Sequence, residues 1–94
     1  MQKTISDWNA YVMRRRMRGD VINLSALLLM FVVHYQSVTF AQVQKYVYGR
    51  YGYEYRSVDF NNMLKHELQC LVRAGRIDKL AENQWGVAGA REER

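Results

Sequence analysis

Apolar and polar positions alternate along this chain with a period that changes from segment to segment, and the changes mark out its elements. Ile5, Trp8 and Val12 recur at spacings of three and four, the signature of one buried face of a helix. Thr4 or Ser6 can cap that helix, which is predicted to run through about Arg18 and stop at Gly19. Asp20 is the expected cap of a second helix reaching about Tyr35. Nearly every position of its stretch "VINLSALLLMFVVHY" is apolar, so no broad polar face is left for water. Such a helix needs cover on more than one side, from the first helix, from a second subunit, or from both.

Ser37-Val38 then forms only a stub of strand. Thr39 is placed to cap a third helix from Phe40 to about Arg50, with Phe40, Val43 and Val47 inward and Gln42, Gln44 and Lys45 outward. Ser57 caps a fourth helix ending at Ala74 before Gly75, and Phe60, Leu64, Leu68, Leu71 and Val72 gather on one side of it. The period then shortens. Ile77, Leu80, Trp85 and Val87 fall in two short runs around polar Glu82-Asn83-Gln84, which reads as strand, tight turn and strand.

At 94 residues, 49% hydrophobic and 24% charged, the chain is sized for one domain with a single core and is not composed like a disordered one. Its longest apolar run, "ALLLMFVV", is far short of the roughly 20 residues that span a membrane. No export signal is evident at the N-terminus, so a reducing cytoplasm is the expected compartment. Cys70 alone cannot form an internal disulfide, and no Cys/His cluster suits zinc; no cofactor or metal is expected.

Catalysis is not expected either. There is no Ser/His/Asp or Cys/His set that the elements bring together, no phosphate-binding glycine loop and no purposeful carboxylate pair. His34, without a second ligand nearby, reads as a boundary residue, and so does Cys70 on the flank of the fourth helix.

The charge balance is basic, with 14 Lys and Arg against 9 Asp and Glu, a net +5. That favours a polyanionic partner, and its distribution matters more than its sum. "RRRMR" lies in the last turns of the first helix. It reads either as a solvated helix end that complements the dipole or as an arm whose Arg14 and Arg16 contact phosphates. "YVYGRYGYEY", residues 46–55, carries five tyrosines and Arg50. Its rings either pack under an irregular connection, or, with Arg50 and Arg56, hydrogen-bond phosphates, stack on unpaired bases or meet a protein partner. On the fourth helix, the side opposite the apolar one holds Asn62, Lys65, His66, Gln69 and Arg73, with Asp59 near its start. These side chains suit base edges: Asn and Gln match adenine, Arg and Lys match guanine, and Asp accepts from cytosine.

The predicted order is helix, strand stub, helix, helix, hairpin. Over residues 20–88 it resembles the winged helix-turn-helix superfamily, on "VTFAQVQKYV" for the stub and second helix, "SVDFNNMLKHELQCLVRAGRI" for the third, and "RIDKLAENQWGV" for the wing. The resemblance implies a mainly α fold with a small β-hairpin and an extra N-terminal helix. It also implies that the fourth helix of this chain enters the major groove while the wing follows the backbone or minor groove. Carried over, it designates Arg56, Ser57, Asn62, Lys65, His66 and Gln69 on the helix and Arg76, Lys79, Asn83 and Gln84 on the wing. Lys45 and Arg50 join them as outward cations. Two features depart from the pattern: a connection of residues 49–56, longer than a compact helix-turn-helix allows, and Glu82 at the wing tip.

The organisation expected is therefore an N-terminal helix at 1–19, a winged-helix domain at 20–88 and a charged tail at 89–94. The function expected is sequence-specific binding of double-stranded DNA by a homodimeric regulator. The alternative is a winged-helix module that binds protein through residues 46–55 and the apolar first helices; binding of single strands or RNA by the tyrosines is a third.

Overall fold

Thr4, Thr39 and Ser57 each turn a side-chain oxygen onto the first turn of the helix that follows, as the sequence predicts. Thr4 Oγ1 accepts from Asp7 N at 3.2 Å while the Asp7 carboxylate accepts from Thr4 N at 2.7 Å. Thr39 and Gln42 repeat this reciprocal box at 3.3 and 2.8 Å, and Ser57 Oγ accepts from Phe60 N at 3.1 Å. The computed structural model describes residues 4–20 and 22–89. The charged tail lies outside them beyond Gly89.

The elements run α1 (Ile5–Met17), α2 (Leu24–Tyr35), β1 (Ser37–Thr39), α3 (Phe40–Tyr51), a 3-10 turn at Tyr53–Tyr55, α4 (Val58–Arg73), β2 (Ile77–Ala81) and β3 (Gln84–Val87). The fold is thus mainly helical with a small antiparallel sheet. One cap departs from expectation. Asp20 does not cap α2; Asn23 does, its Oδ1 accepting from Ala26 N at 3.1 Å. Asp20 instead meets Arg15 Nε at 3.1 Å, which ties the end of α1 to the loop after it.

The sheet has the order β1-β3-β2, so the stub predicted from Ser37-Val38 is an edge strand of the wing. Val38 stands opposite Trp85, and Lys79 flanks Trp85 from the other side. Gly86 belongs at the centre because a Cβ there would lie 2.7 Å from Leu80 Cδ1 and 3.2 Å from Gln36 O. The tip is a turn at Glu82-Asn83, with Asn83 in the left-handed region at φ 59°. Its carbonyl accepts from Phe40 N at 2.9 Å, which fastens the wing tip to the start of α3.

One buried cluster joins every layer. Leu28, Val32, Val38, Val43, Val47, Leu64, Leu68 and Ile77 are fully enclosed, and Trp8 of α1, 4% exposed, belongs to the same cluster. Trp8 is ringed by Tyr51, Tyr55 and Phe60 at centroid separations of 5.1–5.3 Å, each near edge-to-face.

The connection is shorter than its residue types suggest, because α3 continues to Tyr51 and only residues 52–57 separate the helices. Most of its rings face inward. Tyr48 and Tyr55 are buried, Tyr51 meets Trp8, Tyr46 stacks on Phe31 with centroids 4.3 Å apart, and Tyr53 alone of the five is largely exposed.

α2 is covered on one side only. Leu28, Phe31 and Val32 are buried, whereas Met30 is 68% exposed and Val33 48%. α1 does not close over that face, since its apolar stripe is used by the aromatic cluster. Among the described residues, no helix is long and apolar enough to cross a membrane.

Candidate nucleic-acid interface

α4 is held by its apolar side, so its polar side is presented outward by necessity. With Phe60, Leu64, Leu68 and Leu71 anchored in the core, Asn62, Lys65, His66, Gln69 and Arg73 are all exposed. Asp59 is exposed in the first turn.

The wing folds beside this face and converts it into a groove of about 360 Å³. Its walls are Lys65, Gln69 and Arg73 from α4 and Lys79, Glu82 and Asn83 from the wing, and Val72 and Trp85 form its floor. Three cations on one concave surface give a positive field that no single element carries. Lys65 Nζ also rests 5.0 Å from the centroid of the Phe40 ring, which holds its ammonium at the groove edge. Glu82 opposes the field: its carboxylate lies 3.4 Å from Lys79 Nζ.

A second, smaller basic hollow opens near the start of α4. Gln44 and Lys45 of α3 line it with Tyr48, Tyr53 and Arg56. Beneath it, Gln44 Nε2 donates to Asn61 Oδ1 at 3.1 Å, and the Tyr48 hydroxyl donates to the same oxygen. Asn61 therefore braces α4 against α3 and leaves the neighbouring Asn62 outward. Burial pushes the Tyr48 phenol up to about 12, with nearby Arg56 pulling the other way.

The remaining candidates are scattered. Ser57 Oγ is engaged as the α4 cap, and Gln84 Nε2 donates to Ser37 Oγ at 3.1 Å, stitching β3 to β1. Arg76 does not lie on the groove. It borders a separate hollow with Asn23, Ser25, Leu29, Cys70 and Ala74, because the chain turns at Gly75 before the wing begins. Arg50 sits near the end of α3 with its guanidinium 5.8 Å from the Tyr51 ring.

Arg14 and Arg16 stand on α1, and Arg16 lines a hollow with Trp8, Val12, Ile22 and Glu67. Glu67 projects from a flank of α4 well removed from the Gln69 and Asn62 rows. The "RRRMR" run is therefore not gathered with the groove cations. Arg15 within it is engaged: its guanidinium donates to the Tyr11 hydroxyl at 2.8 Å and pairs with Asp20. Tyr11 first and Asp20 second raise its pKa.

The second hollow and the floor residues Val72 and Trp85 escaped the sequence reading. Val72 reads as an ordinary core position in the helical period, and only the folded wing shows that it faces a groove. Among the described residues, no group of three or more His, Cys, Asp or Glu is placed to hold a metal ion. His66 Nε2 and Cys70 Sγ approach to 3.6 Å on the exposed side of α4.

Comparison of the chain with protein families, curated proteins and solved structures finds no match.

Proposed function

We propose that this chain is a winged-helix protein that binds double-stranded DNA with sequence preference, as a homodimeric regulator of transcription rather than an enzyme. The observation that carries the reading is the groove between α4 and the wing. It sets Gln69, a side chain suited to base edges, beside three cations, Lys65, Arg73 and Lys79, while Asn62 stands exposed further along the same face of α4. With its 16 residues α4 is about 24 Å long, and its exposed side could lie in a major groove about 12 Å wide with cations near both of its ends. Lys45 and Arg56 supply that positive charge near the start of α4, and Arg73 and Lys79 supply it near the end.

The exposed face of α2 supports the dimer. Met30 and Val33 lie one turn apart on a helix that offers almost no polar side chain, and a second copy related by a two-fold axis would cover them. Two α4 helices would then address successive half-sites about one helical turn apart, so the preferred site is an inverted repeat.

Selection of bound duplexes from a random pool, repeated across a salt series, tests this. An enriched inverted repeat whose binding weakens steeply with salt is expected. Failure to enrich any sequence at low or moderate salt overturns the reading in favour of a module that binds protein.

A further inference from the structure

The outer face of α1 belongs to neither the core nor the groove, and its composition is specific. Met17 is 83% exposed and Met13 58%, and they stand four residues apart on one row of the helix. Arg14 and, at the C-cap just past the helix, Arg18 lie to one side, about 100° around the axis, and Arg16 flanks the methionines on the other, at the mouth of the hollow that Glu67 also lines. All three guanidiniums are exposed, and among the described residues none of them meets a carboxylate. Arg15, which does, is the arginine on the inward side.

The helix's own needs do not account for this. Favourable interaction with the dipole requires a cation or two in the last turn, whereas Arg14 and Arg18 at a spacing of four repel each other by a few tenths of a kcal/mol. An isolated exposed methionine calls for no explanation; two on one row with arginines on both flanks make a ridge of adaptable apolar side chains in a positively charged frame. A DNA backbone answers the charge and leaves the methionines in water. A helix with large apolar residues along one stripe and carboxylates on both sides of it answers both.

We propose that the outer face of α1 docks an acidic amphipathic helix of a partner protein, with Met13 and Met17 against its apolar stripe and Arg14, Arg16 and Arg18 paired with its carboxylates. This does not depend on DNA binding by α4, which uses a different surface.

The test uses the full chain with methionine methyls labelled for NMR, and three probes: a synthetic helical peptide with leucines along one stripe and glutamates beside it, the same peptide with serine for leucine, and a 20-base-pair duplex. The leucine peptide should shift the Met13 and Met17 methyls and bind at least about tenfold more tightly than the serine peptide. Met13→Ser with Met17→Ser should remove that preference, and Arg14→Glu with Arg18→Glu should abolish binding while conferring binding to a lysine-leucine peptide of the same design. These positions are exposed, and unchanged tryptophan fluorescence from buried Trp8 and Trp85 would show that each variant keeps its fold. Equal binding of the two acidic peptides, no binding of either, or methyl shifts produced by the duplex instead would overturn the proposal, the last in favour of a DNA-contacting arm.

Discussion

Trp8 meets Phe60 edge-to-face, their ring centroids 5.1 Å apart and their planes at 88°, so the indole packs the N-terminal helix against the start of α4. Trp8→Ala would empty the middle of a ring cluster shared with Tyr51 and Tyr55. A loss of about 3–5 kcal/mol of stability is expected in urea unfolding. A loss under about 1 kcal/mol would mean that α1 is a detachable lid.

On the proposed interface, Asn62→Ala and Gln69→Ala should each weaken binding to the preferred duplex by about 1–3 kcal/mol and leave binding to unrelated duplexes nearly unchanged. Arg73→Ala and Lys79→Ala should weaken all duplexes alike and reduce the salt slope by about one per lost phosphate contact. Anisotropy titrations at several salt concentrations separate the two behaviours. The opposite assignment would reject the division between base readers and backbone contacts.

Glu82 gives a prediction of opposite sign. Its carboxylate shares Lys79 and faces the same groove as Lys65 and Arg73. Glu82→Gln should tighten binding to every duplex by about two- to tenfold at low salt, with the gain shrinking as salt rises. Unchanged affinity would place the wing tip away from the phosphates.

Self-association is tested on α2. Met30→Glu with Val33→Glu puts two like charges onto each copy of the proposed interface and should weaken dimerisation about 100-fold or more by sedimentation, with helix content retained. A wild-type chain that is monomeric at micromolar concentration would exclude the dimer directly.

Alkaline unfolding should report on Tyr48. Its phenol titrates near pH 12 in the fold and near 10 when unfolded, so the folded state favours the protonated form. The contribution is complete below pH 10 and is lost as the pH rises through about 12. Tyr48→Phe should therefore lose less stability than the wild type between pH 10 and 12, while being about 1 kcal/mol less stable at neutral pH for want of the bond to Asn61. Parallel losses in the two proteins would show that the phenol is solvated.

What the sequence revealed and what it hid divide along a physical line. Thr4, Thr39 and Ser57 are legible because a cap acts on a backbone amide three residues away. The exposed row of α4 is legible because one anchored face fixes the other. Asp20 and Asn23 are equally good caps by residue type, and the choice fell to Arg15, a side chain from the preceding helix that holds Asp20 elsewhere. The tyrosines were ambiguous for a similar reason: whether Tyr51 and Tyr55 face water depends on Trp8, more than forty residues earlier in the chain. The groove needed the same kind of distant partner, since Lys79 reaches Lys65 and Arg73 only after the wing has turned back on α4.

The sheet order carries a consequence for how the molecule comes into being. Among the described residues β3 is the sole neighbour of both β1 and β2, so a nascent chain that has not yet produced Gln84–Val87 lacks the strand that pairs with either of them. Ser37 waits 47 positions for Gln84, and the floor under α2 and α3 stays open until Trp85 has left the ribosome. Assembly of the sheet waits until residues 84–87 have emerged, and a chain broken off before residue 84 has no sheet to rebuild.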